Sequence, residues 1–366
     1  MNNVISISDL RTQLHISFAT GTATIIEGQP GTGKTQVSRA IALEYLRNKG
    51  LSEDLYQYIL APTKTAEFAG GVMMPVDKVS RLMIPEWITR LEPGQIVHLD
   101  EIDKVHVREQ MIYLQLIHEG GIDNFKLPPV HWILSCNRAA DRGGSFGANV
   151  LLGNRARVFE FQPKPQEVLD YMIGADYHSW IVAFLAQNQG RINEYDATRL
   201  RNNTSRSWEA ASHALKALEW IVPNPSSSQV VQTLAGSVPD NIASEFKLFA
   251  EVAHQLVPWD EVFRNPETAP LPKGDSQAAT LGLMWLQAAM VATTASKYGE
   301  NTGVRAYTYL KRLPPEYTTA FAHLFYTNQK LISSDGAVME TITNRRDMLA
   351  QADKPSAGKA TTRKAA

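Results

Sequence analysis

The sequence predicts an α/β fold, a mostly parallel five-stranded sheet in a three-layer arrangement, followed by a wholly helical region. Three observations carry that prediction. Up to Phe161, short apolar β-type runs alternate with segments of helical period. A glycine-rich turn, Gly28–Thr35, stands between the first clear strand and the first clear helix. From Gln166 onward the β signals fade, and apolar residues recur three and four apart.

In chain order, Thr22-Ala23-Thr24-Ile25-Ile26 reads as a short buried strand, and Val37, Ala40, Ile41 and Tyr45 beyond the glycines mark a helix. Further strands are expected at Tyr56–Leu60, Ile96–Leu99, Val130–Ser135 and Val158–Phe161. Pro163 and Pro165 suggest a linker there. Helical spacing follows in Val168, Leu169 and Met172, then Ile181, Phe184 and Leu185, then from Trp208 to Trp220. Pro223–Ser228 reads as a loop, and helices are expected over 241–256, 277–297 and 315–331. The expected division is an α/β domain over 1–162, a helical lid over 163–262, a helical extension over 263–350 and a disordered Lys/Ala-rich tail over 351–366.

Composition narrows the class. In 366 residues, 44% are hydrophobic and 20% charged, as in an ordinary globular protein, and the formal net charge of −1 supplies no global basic field for nucleic acid or an anionic membrane. The amino terminus lacks the basic head and apolar core of a signal peptide. The apolar stretch Leu281–Thr294 is broken by Gln287 and is too short to span a bilayer, so no membrane association is expected. Cys136 is the single cysteine, which excludes an intramolecular disulfide and suits a reducing, cytoplasmic setting.

Gly28-Gln29-Pro30-Gly31-Thr32-Gly33-Lys34-Thr35 matches G-x-x-x-x-G-K-[ST] at every fixed position. That pattern wraps backbone N–H groups around a phosphate at a helix N-terminus, with Gln36 in the first turn behind it. Lys34 would reach the β- and γ-phosphates of ATP, and the Thr35 hydroxyl would ligate Mg²⁺. Ile96–Leu99 leads into Asp100-Glu101, which would lie at the carboxyl end of a parallel strand, the side on which ligands bind in such sheets. Asp100 is the expected Mg²⁺ holder and Glu101 the general base for the attacking water. Asn137, closing the next strand, could orient that water or contact the γ-phosphate. Cys136 beside it has no base to make it a nucleophile and reads as a small core residue. Arg155 precedes the last strand, and Arg206 opens a helix, where a cation is unfavourable unless an anion lies nearby.

Taken together, GQPGTGKT at 28–35, IVHLDEID at 96–103, SCNRAADRGG at 135–144, LLGNRARVFEF at 151–161 and TSRSWE at 204–209 resemble a MoxR-like AAA+ ATPase over about residues 22 to 330. The resemblance implies Walker A at Lys34 and Thr35, Walker B at Asp100 and Glu101, sensor 1 at Asn137, an arginine finger at Arg155 and sensor 2 at Arg206. The family often has Phe where Ala156 stands, which leaves Arg155 and Arg157 both in range of the finger role. It often has Pro where Ser205 stands. The implied protein is an ATP-hydrolysing homo-hexameric ring, with nucleotide between domains and between subunits. It would remodel a protein partner in the manner of a chaperone, often beside a von Willebrand A-type protein.

Glu67–Pro75 resembles the loop that such rings aim at a central pore, with Phe68, Met73 and Met74 as adaptable contacts for a polypeptide; a loop folded onto its own domain is the alternative. Gly120–Leu127 reads as a hairpin insertion. His98, His118 and His131 lack metal-ligand spacing and read as core or surface histidines. The competing function is a nucleic-acid motor or loader using the same ATP site, which would require a basic pore. The near-zero net charge and the Met/Phe-rich loop lean against it.

Overall fold

The computed structural model describes residues 4–141, 154–253, 261, 264–271, 305, 308, 309 and 312. The described strands are β1 Val4–Ile5, β2 Thr24–Gly28, β3 Tyr56–Leu60, β4 Val72–Val76, β5 Val79–Met83, β6 Ile96–Asp100, β7 Gly121–Ile122, β8 Phe125–Lys126, β9 His131–Asn137 and β10 Arg157–Phe161. The described α-helices are α1 Ile7–Thr20, α2 Lys34–Asn48, α3 Ala66–Gly70, α4 Glu86–Thr89, α5 Val107–Glu119, α6 Pro165–Gly174, α7 Ser179–Gln187, α8 Ser205–Ile221, α9 Ser227–Leu234 and α10 Asp240–Ala253.

Six strands form one sheet in the order β1-β10-β2-β9-β6-β3, and every pairing in it is parallel. The side-chain alternation of each strand divides its residues between two cores. On one face Ile26, Ile96, Ile133, Phe159 and Phe161 pack with Leu10, Leu14 and Phe18 of α1 and Ile41 and Leu46 of α2. On the other, Ile25, Ile59, Val97, Leu99 and Leu134 pack with Ile88 of α4 and Tyr113, Leu114 and Leu116 of α5. The result is the expected three-layer α/β fold.

The sheet has one strand more than the five expected. The sixth, β1, is two residues long, too short to show any periodicity. It lies parallel to β10, and Gln162 N donates to the Ile5 carbonyl at 3.0 Å. Pro165 is not in a linker but opens α6, where its missing N–H costs nothing. Part of the 223–228 loop is likewise helical. Ser226 caps α9 in a capping box with Gln229. The Glu67–Pro75 segment is α3 followed by the first strand of an antiparallel ribbon, β4–β5. Its Phe68 stacks on Trp87 with ring centroids 5.4 Å apart, and the Trp87 indole N–H donates to the Phe68 carbonyl at 2.6 Å. That half-buried ring is held by its own domain. Met73 and Met74 are exposed. The expected hairpin at Gly120–Leu127 is present as β7–β8. The expected helices over 277–297 and 315–331, and the tail, lie outside the described residues.

The chain divides into two compact units, Met1–Val168 with Asn193–Ser207, and Leu169–Ile192 with Trp208–Ala366. In the second, Phe184, Phe246 and Phe249 form a ring cluster with centroids 5.1–5.8 Å apart. Trp208, fully buried, donates its indole N–H to the Arg191 carbonyl at 3.0 Å.

Within the first unit, the start of α1 is held from far along the chain. Ser6 and Asp9 form a capping box, and the Glu167 carboxylate accepts the Ile7 and Ser8 N–H groups at 3.1 Å each and the Lys164 N–H at 2.9 Å. Partial burial works to raise the Glu167 pKa, but these backbone donors outweigh it and hold the carboxyl below its ordinary value. A depressed folded-state pKa means stability present at neutral pH and lost as pH falls through the carboxylate range. Glu167→Gln is therefore expected to lower stability by about 1 kcal/mol at pH 7, the size of a helix cap. The gap to wild type should close toward acid pH in urea melts, and a gap independent of pH would exclude the charge as its cause.

Candidate functional site

The strands β2, β9 and β6 are neighbours, and their carboxyl ends bring Gly28, Asn137 and Asp100 to one edge of the sheet. On the α2 face the pattern changes along each strand from apolar to polar. Ile26 precedes Gly28, Ile96 precedes His98 and Asp100, and Ile133 precedes Ser135 and Asn137. Apolar residues thus anchor the strands in the core, and the same alternation then delivers polar groups beside the start of α2.

α2 begins directly at Lys34. Its N-cap, Gly33, takes φ +88° and offers no side-chain cap, and no acid stands in the first turn. Gly31 is also left-handed, at φ +74°, and a Cβ there would lie 2.6 Å from Thr204 Oγ1. Both positions call for glycine. The free N–H groups of this helix start make a ready anion site. Lys34 is buried, and its Nζ donates to the carbonyls of Gly28 and Gln29 at 2.8 Å each and to Asn137 Oδ1 at 3.3 Å. Burial pushes this amine down to about 8, against the opposing charges of Asp100 and Asp103. A cation held on carbonyls over an uncapped helix start suits a polyphosphate, which would supply the missing negative charge. Thr32 Oγ1 donates to the Gln29 carbonyl at 2.9 Å and closes the turn around Pro30, while Gln36 is exposed.

Asp100 accepts four hydrogen bonds. Ser135 Oγ at 2.5 Å and Glu101 N at 3.0 Å reach Oδ1, whereas Thr35 Oγ1 at 2.7 Å and Tyr58 OH at 3.0 Å reach Oδ2. Burial works to raise its pKa, but the hydroxyl donors outweigh it and hold the carboxyl below its ordinary value. An ionised carboxylate beside a Thr hydroxyl is an all-oxygen donor pair of the kind Mg²⁺ takes while keeping most of its waters. The residues therefore fit the metal.

Glu101 follows with φ +58°, a left-handed conformation unusual for a non-glycine residue and one that clusters at functional sites. Its Oε1 pairs with Lys104 Nζ at 2.6 Å, both side chains being over a third exposed. Arg206 lies in the first turn of α8 with its side chain exposed, and its backbone N–H faces the Gly31 carbonyl at 3.4 Å. Arg155 is exposed in the turn before β10. Arg157, two residues on, is engaged. Its guanidinium donates to the Gln13 carbonyl at 2.9 Å, to Ser17 Oγ at 3.0 Å and to Gln13 Oε1, and lies over the Phe159 ring.

The residues from Gly28 to Thr35 thus meet Asp100 and Asn137 at one place, as expected from the sequence. Sequence reasoning missed Tyr58, a second donor to Asp100 Oδ2, and it read His98 only as a core or surface histidine. His98 is fully buried, but both ring nitrogens are bonded, Nδ1 to Tyr56 OH and Nε2 to Ser135 Oγ, at 2.8 Å each. The available signal was polar residues at the inward positions of two otherwise apolar strands. The Asn-Arg-x-x-Asp motif also acquires a physical reason. Arg138 forks onto both Asp141 oxygens, at 2.6 and 3.2 Å, and reaches Glu160 of β10 at 3.1 Å.

No protein-family model and no curated protein matches the chain. Among solved structures it is similar to NtrX from Brucella abortus, in complex with ADP, at 16% identity and TM-score 0.39, over 89% of this chain and 67% of that one. It is also similar to a RuvB variant from Thermotoga maritima, at 15% identity and TM-score 0.33, over 75% of this chain and 81% of that one. A Cytophaga hutchinsonii protein described as an ATPase aligns at 12% identity and TM-score 0.33, over 87% of this chain and 80% of that one. At scores this low, neither fold nor function follows from the likeness.

Proposed function

We propose that this chain is an ATP-hydrolysing, MoxR-like AAA+ ring ATPase that remodels a protein partner. The observation that carries the reading is the convergence of Lys34, the Thr35–Asp100 pair and Asn137 at an uncapped helix start on the carboxyl edge of a parallel sheet. In it the 31–35 backbone and Lys34 bind the phosphates, and Thr35 and Asp100 hold Mg²⁺, which when bound neutralises charge on the β- and γ-oxygens. Glu101 takes the proton of the attacking water, and Asn137 orients that water. Arg206 contacts the nucleotide from the head of α8. Arg155, exposed where Arg157 is engaged, serves a neighbouring subunit's nucleotide in a homo-hexamer. The exposed Met73 and Met74 on the β4–β5 ribbon offer adaptable contacts to a polypeptide, such as a von Willebrand A-type partner. No described helix is long and apolar enough to cross a membrane.

Lys34→Ala is expected to abolish binding of a fluorescent ATP analogue and, because it takes the donor from the Gly28 and Gln29 carbonyls, to lower the melting temperature as well, so binding is compared at a temperature where both proteins are folded. Retained binding would defeat the reading. Strong stimulation of hydrolysis by single- or double-stranded DNA, with affinity falling steeply in salt, would favour a nucleic-acid motor instead.

A further inference from the structure

The α2 face of the sheet carries a line of polar side chains for which the chemistry above has no use. Tyr56 on the edge strand bonds to His98 on β6, His98 to Ser135 on β9, and Ser135 to Asp100 Oδ1, at 2.8, 2.8 and 2.5 Å. His98 and Ser135 are fully buried, in a layer otherwise filled by Ile26, Ile96 and Ile133. Burying such groups is costly unless each finds its partner.

Only one direction of donation satisfies the whole line. An ionised carboxylate has no proton, so Ser135 must donate to Asp100. A serine hydroxyl has one proton, so His98 must donate to Ser135, which places the ring hydrogen on Nε2. A ring that carries its one hydrogen on Nε2 leaves Nδ1 a bare acceptor, so Tyr56 OH donates to it. Each proton position follows from the one before. The line ends on Oδ1, which Glu101 N also holds, whereas Oδ2 carries the Thr35 and Tyr58 donors.

We propose that Tyr56, His98 and Ser135 are positioning residues, a one-way hydrogen-bond line that fixes Asp100 through Oδ1 so that Oδ2 stays turned to Mg²⁺ beside Thr35. The inference rests on the ATP–Mg²⁺ reading of the site. It divides the carboxylate into a locked oxygen and a working one. Only donors on the working oxygen, Thr35 and the half-exposed Tyr58, exchange when the metal binds. Partners that orient a metal-binding carboxylate typically contribute about 10–100-fold in metal affinity.

The test uses the full chain and a fluorescent, non-hydrolysable ATP analogue, titrated in Mg²⁺ and in EDTA. In wild type Mg²⁺ should tighten binding. Ser135→Ala should cut that Mg²⁺-dependent gain about tenfold while affinity in EDTA stays unchanged, and Ser135→Thr, which keeps the hydroxyl, should restore it. A full Mg²⁺ gain in Ser135→Ala overturns the proposal, as does an equal loss with and without metal. Absence of nucleotide binding in wild type would instead defeat the ATP-site reading, and the positioning role with it. A second measurement needs no Ser135 variant. In ¹⁵N-histidine-labelled wild type, the signal that disappears in His98→Asn should be a neutral ring protonated at Nε2. Protonation at Nδ1 would reverse the line and overturn the proposal.

Discussion

Arg155→Ala is expected to bind ATP almost as wild type does and to hydrolyse it about 10³–10⁵-fold more slowly, the range of an arginine supplied in trans. Its exposure in the turn before β10 and the engagement of Arg157 by Gln13 and Ser17 make Arg155 the candidate of the two. The same contacts predict opposite behaviour for Arg157→Ala. That change should lower the melting temperature by freeing β10 from α1, with hydrolysis per folded molecule retained. A mixing experiment isolates the trans role. Arg155→Ala subunits keep Glu101 and Glu101→Gln subunits keep Arg155, so each is inactive alone, but an interface formed between them holds one complete site. Hydrolysis should reappear in the mixture and rise with protein concentration as rings assemble. A mixture that co-assembles by light scattering yet stays inactive would show that Arg155 does not serve a neighbour.

Glu101→Gln is expected to retain ATP binding and lose about 10²–10⁴-fold in turnover, because the amide keeps the shape of the side chain but cannot accept the water's proton. Stability should barely change. The Lys104 ion pair that the substitution removes is over a third exposed on both sides, and pairs of that kind contribute about 0–1 kcal/mol. The left-handed backbone at Glu101 is equally accessible to Gln. Equal rates in wild type and Glu101→Gln would remove the glutamate from the mechanism. Lost nucleotide binding would point to a structural role for it instead.

Local information reached far in this chain. Short apolar runs placed β3 at Tyr56–Leu60 and located four others to within two residues at each end, because a strand buried on both faces stays apolar along its length. The glycines from 28 to 33 announced a tight turn before a helix, and α2 starts there, behind a left-handed Gly31 and Gly33. The two-residue β1 left no period to read. The β4–β5 ribbon was hidden for a related reason. Its Val72, Met74, Val79 and Met83 are exposed, so no core imposed a polar–apolar alternation on it. Phe68, an apparent free contact, turned out to stack on Trp87, nineteen residues away, a pairing no local pattern records.

The order of residues alone supplied the α/β class, the phosphate-type turn, and the acids at the end of β6, since each depends on neighbours a few positions apart. Strand order was beyond it. That β9 lies between β2 and β6 depends on crossovers through helices, and this placement puts Asn137 beside Lys34, 103 residues earlier, and Ser135 beside Asp100, 35 residues earlier. The grip of Glu167 on the start of α1, across about 160 residues, has the same origin. The Ser135–Asp100 contact forms because buried polar groups must find partners wherever the packed sheet brings them, and that requirement acts through space rather than along the chain.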